Sequence, residues 1–342
     1  MVTSLLLSMA VAFISTFFIM PQLIRFLYAA GVVGLDLNKQ QKPMLPSSGG
    51  IGVAAGVLAG LLVYIAIQTF VYRQAILNLV AVTASILIAM FVGFFDDLNV
   101  KSKKVRTNEG FDIRVGFPRW VKPLLTLPAA VPLMAISVGE TTLTLPIIGD
   151  FNFGILYPLL LVPIGIVGAS NMVNMLGGYN GVEAGMGLIY MLSLGLYAFV
   201  FVNVLSSVIF FIAAAALIAF LRYNWYPAKI LPGDSLTYLL GSLVAAGVVV
   251  GNMEKIGLIV MTPFILQGIL KFYSKHKLGQ YASDLGVVGN DGTIKSKYGN
   301  RIFSLTHAVM KLGRFREWQI VIFMMVIQTI FGILPLLSRG IF

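Results

Sequence analysis

The chain has 342 residues, 58% of them hydrophobic and only 11% charged, with a mean hydropathy of +0.92. Soluble globular chains carry about 25% charged residues, so soluble-enzyme, disordered, collagen-like and disulfide-scaffold classes are excluded and an integral membrane protein remains. The excess of 24 Lys+Arg over 13 Asp+Glu fits basic loops on one side of a membrane, not nucleic acid, because these residues sit between apolar runs and form no recognisable module.

A bilayer span needs roughly 20 mostly apolar residues. Such runs fall at 4–24, 51–71, 76–95, 121–138, 153–173, 184–202, 204–221, 236–251, 256–272 and 318–337. They predict an all-α integral membrane protein, one polytopic domain over residues 1–342 with about ten transmembrane helices. The first run lacks a basic flank ahead of it and reads as a retained span. Pro128, Pro132, Pro158, Pro163 and Pro263 lie in or near spans, where a kink is tolerated if neighbours satisfy the freed carbonyls.

Of the 24 Lys and Arg, 21 lie in or beside the odd-numbered gaps between spans. The positive-inside rule therefore places those loops in the cytoplasm and both termini outside. Two of the gaps are long: a basic cytoplasmic loop at 96–120 and a large cytoplasmic loop at 273–317. In the second, Asn290-Asp291-Gly292 between Val287-Val288-Gly289 and Thr293-Ile294 predicts a short β-hairpin. On the outer side, the alternation Thr142-Leu143-Thr144-Leu145 before Pro146 predicts a short exposed strand.

Polar residues are expensive in a membrane protein, so their placement carries the functional signal. They gather after span 1 (Asp36, Asn38, Lys39), after span 3 (Asp96, Asp97), between spans 5 and 6 (Asn171, Asn174, Asn180, Glu183), before span 8 (Asp234) and after span 9 (Lys275, His276, Lys277). All five groups belong to the cytoplasmic gaps. A transporter more often places polar groups at the midplane, on broken helices in related halves. Gathering them at one interface suits an active site on the cytoplasmic face that joins a water-soluble substrate to a lipid.

Each group also has a plainer explanation. Asp96 and Asp97 point about 100° apart on a helix and could be a solvated helix end, though acids are unfavourable at a C-terminus. Asn171 and Asn174 share a helical face and precede glycines that let backbone approach a ligand. Their amides suit uracil recognition or magnesium coordination, or a polar contact between helices. Asp234 before an apolar run reads equally as an ordinary N-cap. Lys39, Lys122 and the Lys275-His276-Lys277 run are candidate phosphate binders or loop residues touching anionic lipid. His307 reads as an interfacial side chain. With no cysteine and two histidines, disulfides, thiolate nucleophiles and a conventional zinc site fall away.

At these residues the sequence resembles the polyprenyl-phosphate N-acetylhexosamine-1-phosphate transferase family, in the branch that contains dolichyl-phosphate UDP-N-acetylglucosamine phosphotransferases. The matching pieces are Asp36-Leu37-Asn38-Lys39 with Pro46 and Gly49-Gly50, then Gly93-Phe94-Phe95-Asp96-Asp97, then Asn171 to Gly185. Asn224-Trp225-Tyr226-Pro227 and Gly233-Asp234-Ser235 complete the set. The Asn180-Gly181-Val182-Glu183-Ala184-Gly185 ending resembles the archaeal and eukaryotic type; the Asp-Gly pair that bacterial cell-wall relatives carry near Gly177 is absent.

The resemblance implies transfer of N-acetylglucosamine-1-phosphate from UDP-N-acetylglucosamine to a polyprenyl (dolichyl-type) phosphate, releasing UMP, as the first step of lipid-linked oligosaccharide assembly for protein N-glycosylation. It implies that Asp234 and Asn174 hold Mg2+ on the pyrophosphate, that Asn180 lies at the uracil, and that Asp96 and Asp97 stand beside the acceptor phosphate and metal. Lys122 matches a family lysine that contacts phosphate, giving Asp96, Asp97 and Lys122 as the catalytic set. Asp36, Asn38, Lys39, Asn171, Asn180, Glu183, Lys275, His276 and Lys277 form the substrate-binding set. The last three stand where relatives carry an Arg-His-Arg-like run. The alternatives are a relative using another UDP-N-acetylhexosamine for cell-surface glycans, and a nucleotide-sugar or lipid transporter.

Membrane lipids surround such a chain, nucleic acid is not a partner, and a homodimer is compatible with the sequence. The membrane would be the plasma membrane in an archaeon and the endoplasmic reticulum in a eukaryote. The ending Gly340-Ile341-Phe342 has no lysine-rich retention signal and favours the former.

Overall fold

The structure is a computed structural model that describes residues 2–99, 104–106, 112–114, 117–118, 120–145 and 149–337. Parts of the basic 96–120 loop lie outside the described residues, as do Pro146 and the Gly340-Ile341-Phe342 ending.

All ten apolar runs are helical. In chain order the first half contains α1 (Val2–Ala29), a hairpin of β1 (Val33–Leu35) and β2 (Met44–Pro46), α2 (Gly50–Ala66), α3 (Leu77–Asn99), the pair β3 (Lys104–Arg106) and β4 (Asp112–Arg114), α4 (Val121–Thr126) and α5 (Val131–Ala135). Next come the pair β5 (Thr142–Leu145) and β6 (Gly149–Asn152), α6 (Val162–Val173), α7 (Val182–Phe201), α8 (Val204–Asn224), α9 (Gly233–Gly251), α10 (Glu254–Val260) and α11 (Thr262–Leu278). The chain ends with β7 (Gly286–Val288), β8 (Thr293–Ser296), α12 (Leu305–Leu312), β9 (Phe315–Arg316) and α13 (Glu317–Leu337).

Among the described residues, seven helices are long and apolar enough to cross a membrane, and α10 with α11 forms an eighth candidate bent by 63°. The runs expected at 121–138 and 153–173 are shorter helices, 121–135 and 157–173. Proline explains how these depart from regular spans. It lacks an N–H and crowds the preceding turn. Pro128 accordingly sits in a 3₁₀ turn at Leu127–Ala130, and Pro158 in a π turn at Tyr157–Leu161. Pro132, Pro163 and Pro263 each open a new helix.

The predicted hairpin is β7–β8, with Gly292 at φ +74° in its turn; β9 adds a third strand. The predicted strand at 142–145 pairs antiparallel with β6. The β1–β2 hairpin carries Asp36 to Lys39 in its loop.

α9 is the axis of the bundle, with 89% of its apolar stretch buried, and α2, α3, α6 and α8 pack against it. At its N-terminal end two glycines permit contact at backbone distance. A Cβ on Gly50 would collide with the backbone of Ser235 and Leu236, and one on Gly93 with Asp234 O and Ser235 N. Gly93 and Asp97 are four residues apart and share a helical face. The seam that brings α3 onto α9 therefore also delivers the Asp97 carboxylate to the start of α9.

Candidate active site

The start of α9 has backbone N–H groups with no partner inside the helix. Its N-cap residue is Pro232, which makes no side-chain cap. Asp97 does that work from α3: Oδ1 accepts from Asp234 N at 2.8 Å, and Oδ2 accepts from Ser235 N at 3.2 Å and Ser48 Oγ at 2.8 Å. The N-cap explanation for Asp234 thus gives way, because a distant carboxylate fills that role. Asp234 lies in the first turn instead, its side chain 25% exposed.

Around Asp234 the helices converge. Its Oδ2 accepts from Lys122 Nζ at 2.7 Å and Asn174 Nδ2 at 3.0 Å. Lys122 also reaches Asp96 Oδ2 at 2.6 Å, and Phe117 N donates to the other Asp96 oxygen. Asp96 and Asp97 do point apart, one to Lys122 and one to the end of α9. Thr237 Oγ1 donates to Asn174 Oδ1 at 3.1 Å. Asn171 lies one turn back, with Nδ2 donating to Val167 O at 2.8 Å and Tyr238 OH donating to its Oδ1 at 3.4 Å.

A second cluster stands on loops. Asn180 Oδ1 accepts from Lys39 Nζ at 2.9 Å and Ala228 N at 3.0 Å, and its Nδ2 donates to Asp36 Oδ2 at 3.2 Å. Its backbone N–H donates to Glu317 Oε1 at 2.7 Å. Lys39 also pairs with Asp36 at 3.2 Å and with Glu317, over the Tyr226 ring. Beside it the 177–181 loop is held from two sides: Asn38 Nδ2 donates to Gly178 O at 2.6 Å, and Gly178 N donates to Glu183 Oε1 at 3.0 Å. Glu183 Oε2 and Asn38 Oδ1 are buried without a hydrogen-bond partner.

Two cavities flank this arrangement. A smaller one, about 350 Å³, is walled by Asp36, Tyr179, Asn180 and Glu183, with Asp97 and Asp234 at its edge. A larger one, about 630 Å³, is walled by Lys122, Asn171 and Phe272. Asn174, Gly177, Gly178, Asp234, Asp284 and Leu285 line both.

Lys275, His276 and Lys277 line neither cavity; all three are exposed at the end of α11, with Lys275 and Lys277 lying over the Tyr281 and Tyr273 rings. The final loop contributes Asp284 and Leu285 instead, and α11 contributes the buried Lys271. Asp284 O accepts from Tyr179 OH at 2.8 Å, and burial, reinforced by the Asp284 charge, raises the Tyr179 pKa and keeps that donor protonated. His307 is buried, and that burial lowers its pKa.

Sequence reasoning missed Ser48, Thr237, Lys271, Asp284 and Glu317. The one available signal was Glu317, an acid opening an otherwise charge-free span. Among the described residues, no group of three or more His, Cys, Asp or Glu could cage a metal.

A profile of the family described as Glycosyl transferase family 4 matches residues 79–252. A protein of Saccharolobus solfataricus, named provisionally as a UDP-N-acetylglucosamine–dolichyl-phosphate N-acetylglucosaminephosphotransferase, is 32% identical over 340 residues, covering 99% of this chain and 98% of its own. A Sulfolobus acidocaldarius protein with the same provisional name is 31% identical, covering 98% and 97%. The protein of that name from Dictyostelium discoideum is 27% identical, covering 73% of this chain and 67% of its own.

Proposed function

The chain belongs to glycosyl transferase family 4, and from that premise we propose that it transfers N-acetylglucosamine-1-phosphate from UDP-N-acetylglucosamine to a dolichyl-type phosphate, releasing UMP. The observation that carries this reading is the shared wall: Asp234 and Asn174 border both cavities, with Lys122 bonded to Asp234 from the larger one. A reaction that joins two substrates at one phosphorus needs such a meeting point.

The acids of the smaller cavity suit the uncharged nucleoside, whose N–H and hydroxyl groups donate. The larger cavity, with Lys122 and the exposed Phe272, suits a phosphate on an apolar chain. A phosphate monoester has a second pKa near 6 and is largely dianionic at neutral pH, so it needs little help from a base. One of its oxygens forms a bond to the β-phosphorus while the bond from that phosphorus to the bridging oxygen breaks, and UMP carries away the electron pair. No covalent enzyme intermediate is required. Lys122 offsets the negative charge at the junction, and Asp97 fixes Asp234 by holding the turn that bears it.

Asp234 with Asn174 would hold magnesium. This donor set fits that ion, which takes one or two carboxylates and completes its shell with waters and substrate phosphate oxygens; Asn174 would serve through its amide oxygen, with the amide turned from the orientation in which Nδ2 donates to Asp234. When bound, magnesium lowers the repulsion between the two anions and stabilises charge on the leaving UMP. The site faces the cytoplasm, supported by the basic residues of the same loops.

Purified protein in detergent, given dolichyl phosphate and a panel of labelled UDP-sugars, tests the proposal. UMP and a lipid-linked sugar should appear with magnesium and UDP-N-acetylglucosamine, and vanish with chelator. Another UDP-N-acetylhexosamine as the preferred donor would reassign the sugar. Movement of intact nucleotide sugar across vesicles without UMP release would sink the enzymatic reading.

A further inference from the structure

Lys122 and Lys271 are the basic residues that line the larger cavity. Lys271 sits on α11 with 7% exposure. A buried lysine in an apolar helix is costly unless it is paired and used. Its ammonium lies 2.6 Å from Asp284 Oδ1 and donates to Ala282 O at 2.7 Å. An ammonium has three N–H donors; these contacts occupy two, and the group stands at the cavity wall.

The partner is itself fixed. Gln267 Nε2 donates to Asp284 Oδ1 at 2.8 Å, while Thr306 Oγ1 donates to Asp284 O at 2.9 Å. Side chains of α11 therefore hold this carboxylate, while Thr306 of α12 and Tyr179 of the 177–181 loop hold the backbone carbonyl of the same residue. Ion pairing alone explains how Lys271 tolerates burial. It does not explain why the pair faces the room that Lys122 and Asp234 share, with Asp284 reaching into both cavities.

We propose that Lys271 contacts substrate, binding a phosphate group in the larger cavity, and that Asp284 is its resident counter-ion, competing with that phosphate for the ammonium and moderating its charge. This deepens the phosphotransfer reading and rests on it. Two phosphates of the proposed reaction offer this chemistry, the β-phosphate of the nucleotide sugar and the monophosphate of the lipid.

The test measures UMP release by full-length Lys271→Gln and Asp284→Asn proteins, varying UDP-N-acetylglucosamine and dolichyl phosphate in turn. Losing a charge-assisted bond to phosphate raises one KM by about 10- to 100-fold in Lys271→Gln. Removing the competing carboxylate lowers the same KM by about threefold in Asp284→Asn. The substrate whose KM moves identifies the phosphate.

A purely structural ion pair predicts lower thermal stability in both variants and KM changes of the same sign. That pattern, or both KM values within twofold of wild type, overturns the proposal. If Lys271→Gln does not fold, the near-isosteric Asp284→Asn still decides, since an unchanged or raised KM there is fatal. Wild-type protein that releases no UMP would fell the phosphotransfer reading first, and this proposal with it.

Discussion

The two halves of the site are built from different materials. Around Asp234, each group comes from a helix: Asp96 and Asp97 from α3, Lys122 from α4, Asn174 from the end of α6. Their positions follow from helix packing, and two glycines remove the clearance between backbones. Around Asn180, the groups come from the β1–β2 turn, the 177–181 loop, Ala228 and the first residue of α13, and polar contacts hold them together. Under the proposed reaction the contrast would be a division of labour: helices would fix the groups that meet the reacting phosphorus, and loops would shape the room through which the nucleotide comes and goes.

The largest effect should come from the helical half. Asp234→Ala is expected to reduce UMP release by at least about 1000-fold while the protein keeps its elution profile and thermal midpoint. Near-normal turnover would remove the carboxylate from the chemistry. Asp97→Asn should act mainly on the fold, because Asp97 accepts three hydrogen bonds and sits at the start of the central helix. A loss of about 3 kcal/mol, read by thermal melting in detergent, is expected; undiminished stability with abolished turnover would make it a reacting group instead.

The loop half should show itself in affinity. Glu317→Gln weakens the hold on Lys39 and Asn180 and should raise the KM for UDP-N-acetylglucosamine by about tenfold, with kcat little changed. A fall in kcat at constant KM would erase the distinction between the halves. The smallest effect is pH dependence at His307. Burial lowers its pKa in the fold below the unfolded value, against a weaker pull upward from Asp284. The neutral ring is therefore favoured by folding. Its stability contribution is present above about pH 6.5 and is lost as pH falls from there through the lowered pKa. Melting between pH 8 and pH 5 should drop more in wild type than in His307→Gln, and parallel curves would count against it.

Much of this architecture can be read from residue order. Long apolar runs separated by charge define helices, and prolines mark where the short ones break. Asn-Asp-Gly marks the final hairpin. The helical half was legible because its groups cluster at span ends: Asp96 and Asp97, Asn174, Asp234. The loop half was harder. Asn180 stands in a visible motif, yet nothing local indicates that four contacts from remote segments would surround it. Lys271 and Asp284 were missed for a related reason. Lys271 is a single charge at the edge of a basic loop, indistinguishable in sequence from the exposed Lys275 and Lys277, and Asp284 is a lone acid within that loop; only the folded loop, which brings Asp284 and Ala282 onto Lys271, singles them out. The β1–β2 hairpin was missed because three-residue strands carry too little alternation to register.

The glycine seam between α3 and α9 has a mechanical consequence. At Gly93 the backbones of α3 and α9 meet with no side chain between them. Bilayers of different thickness change the tilt of spanning helices, and here such tilting would carry α3 and α9 together as one stiff plank. Lipid composition would then alter how the mouth of the site sits against the headgroups, while the spacing between Asp97 and the turn bearing Asp234 stays as it is.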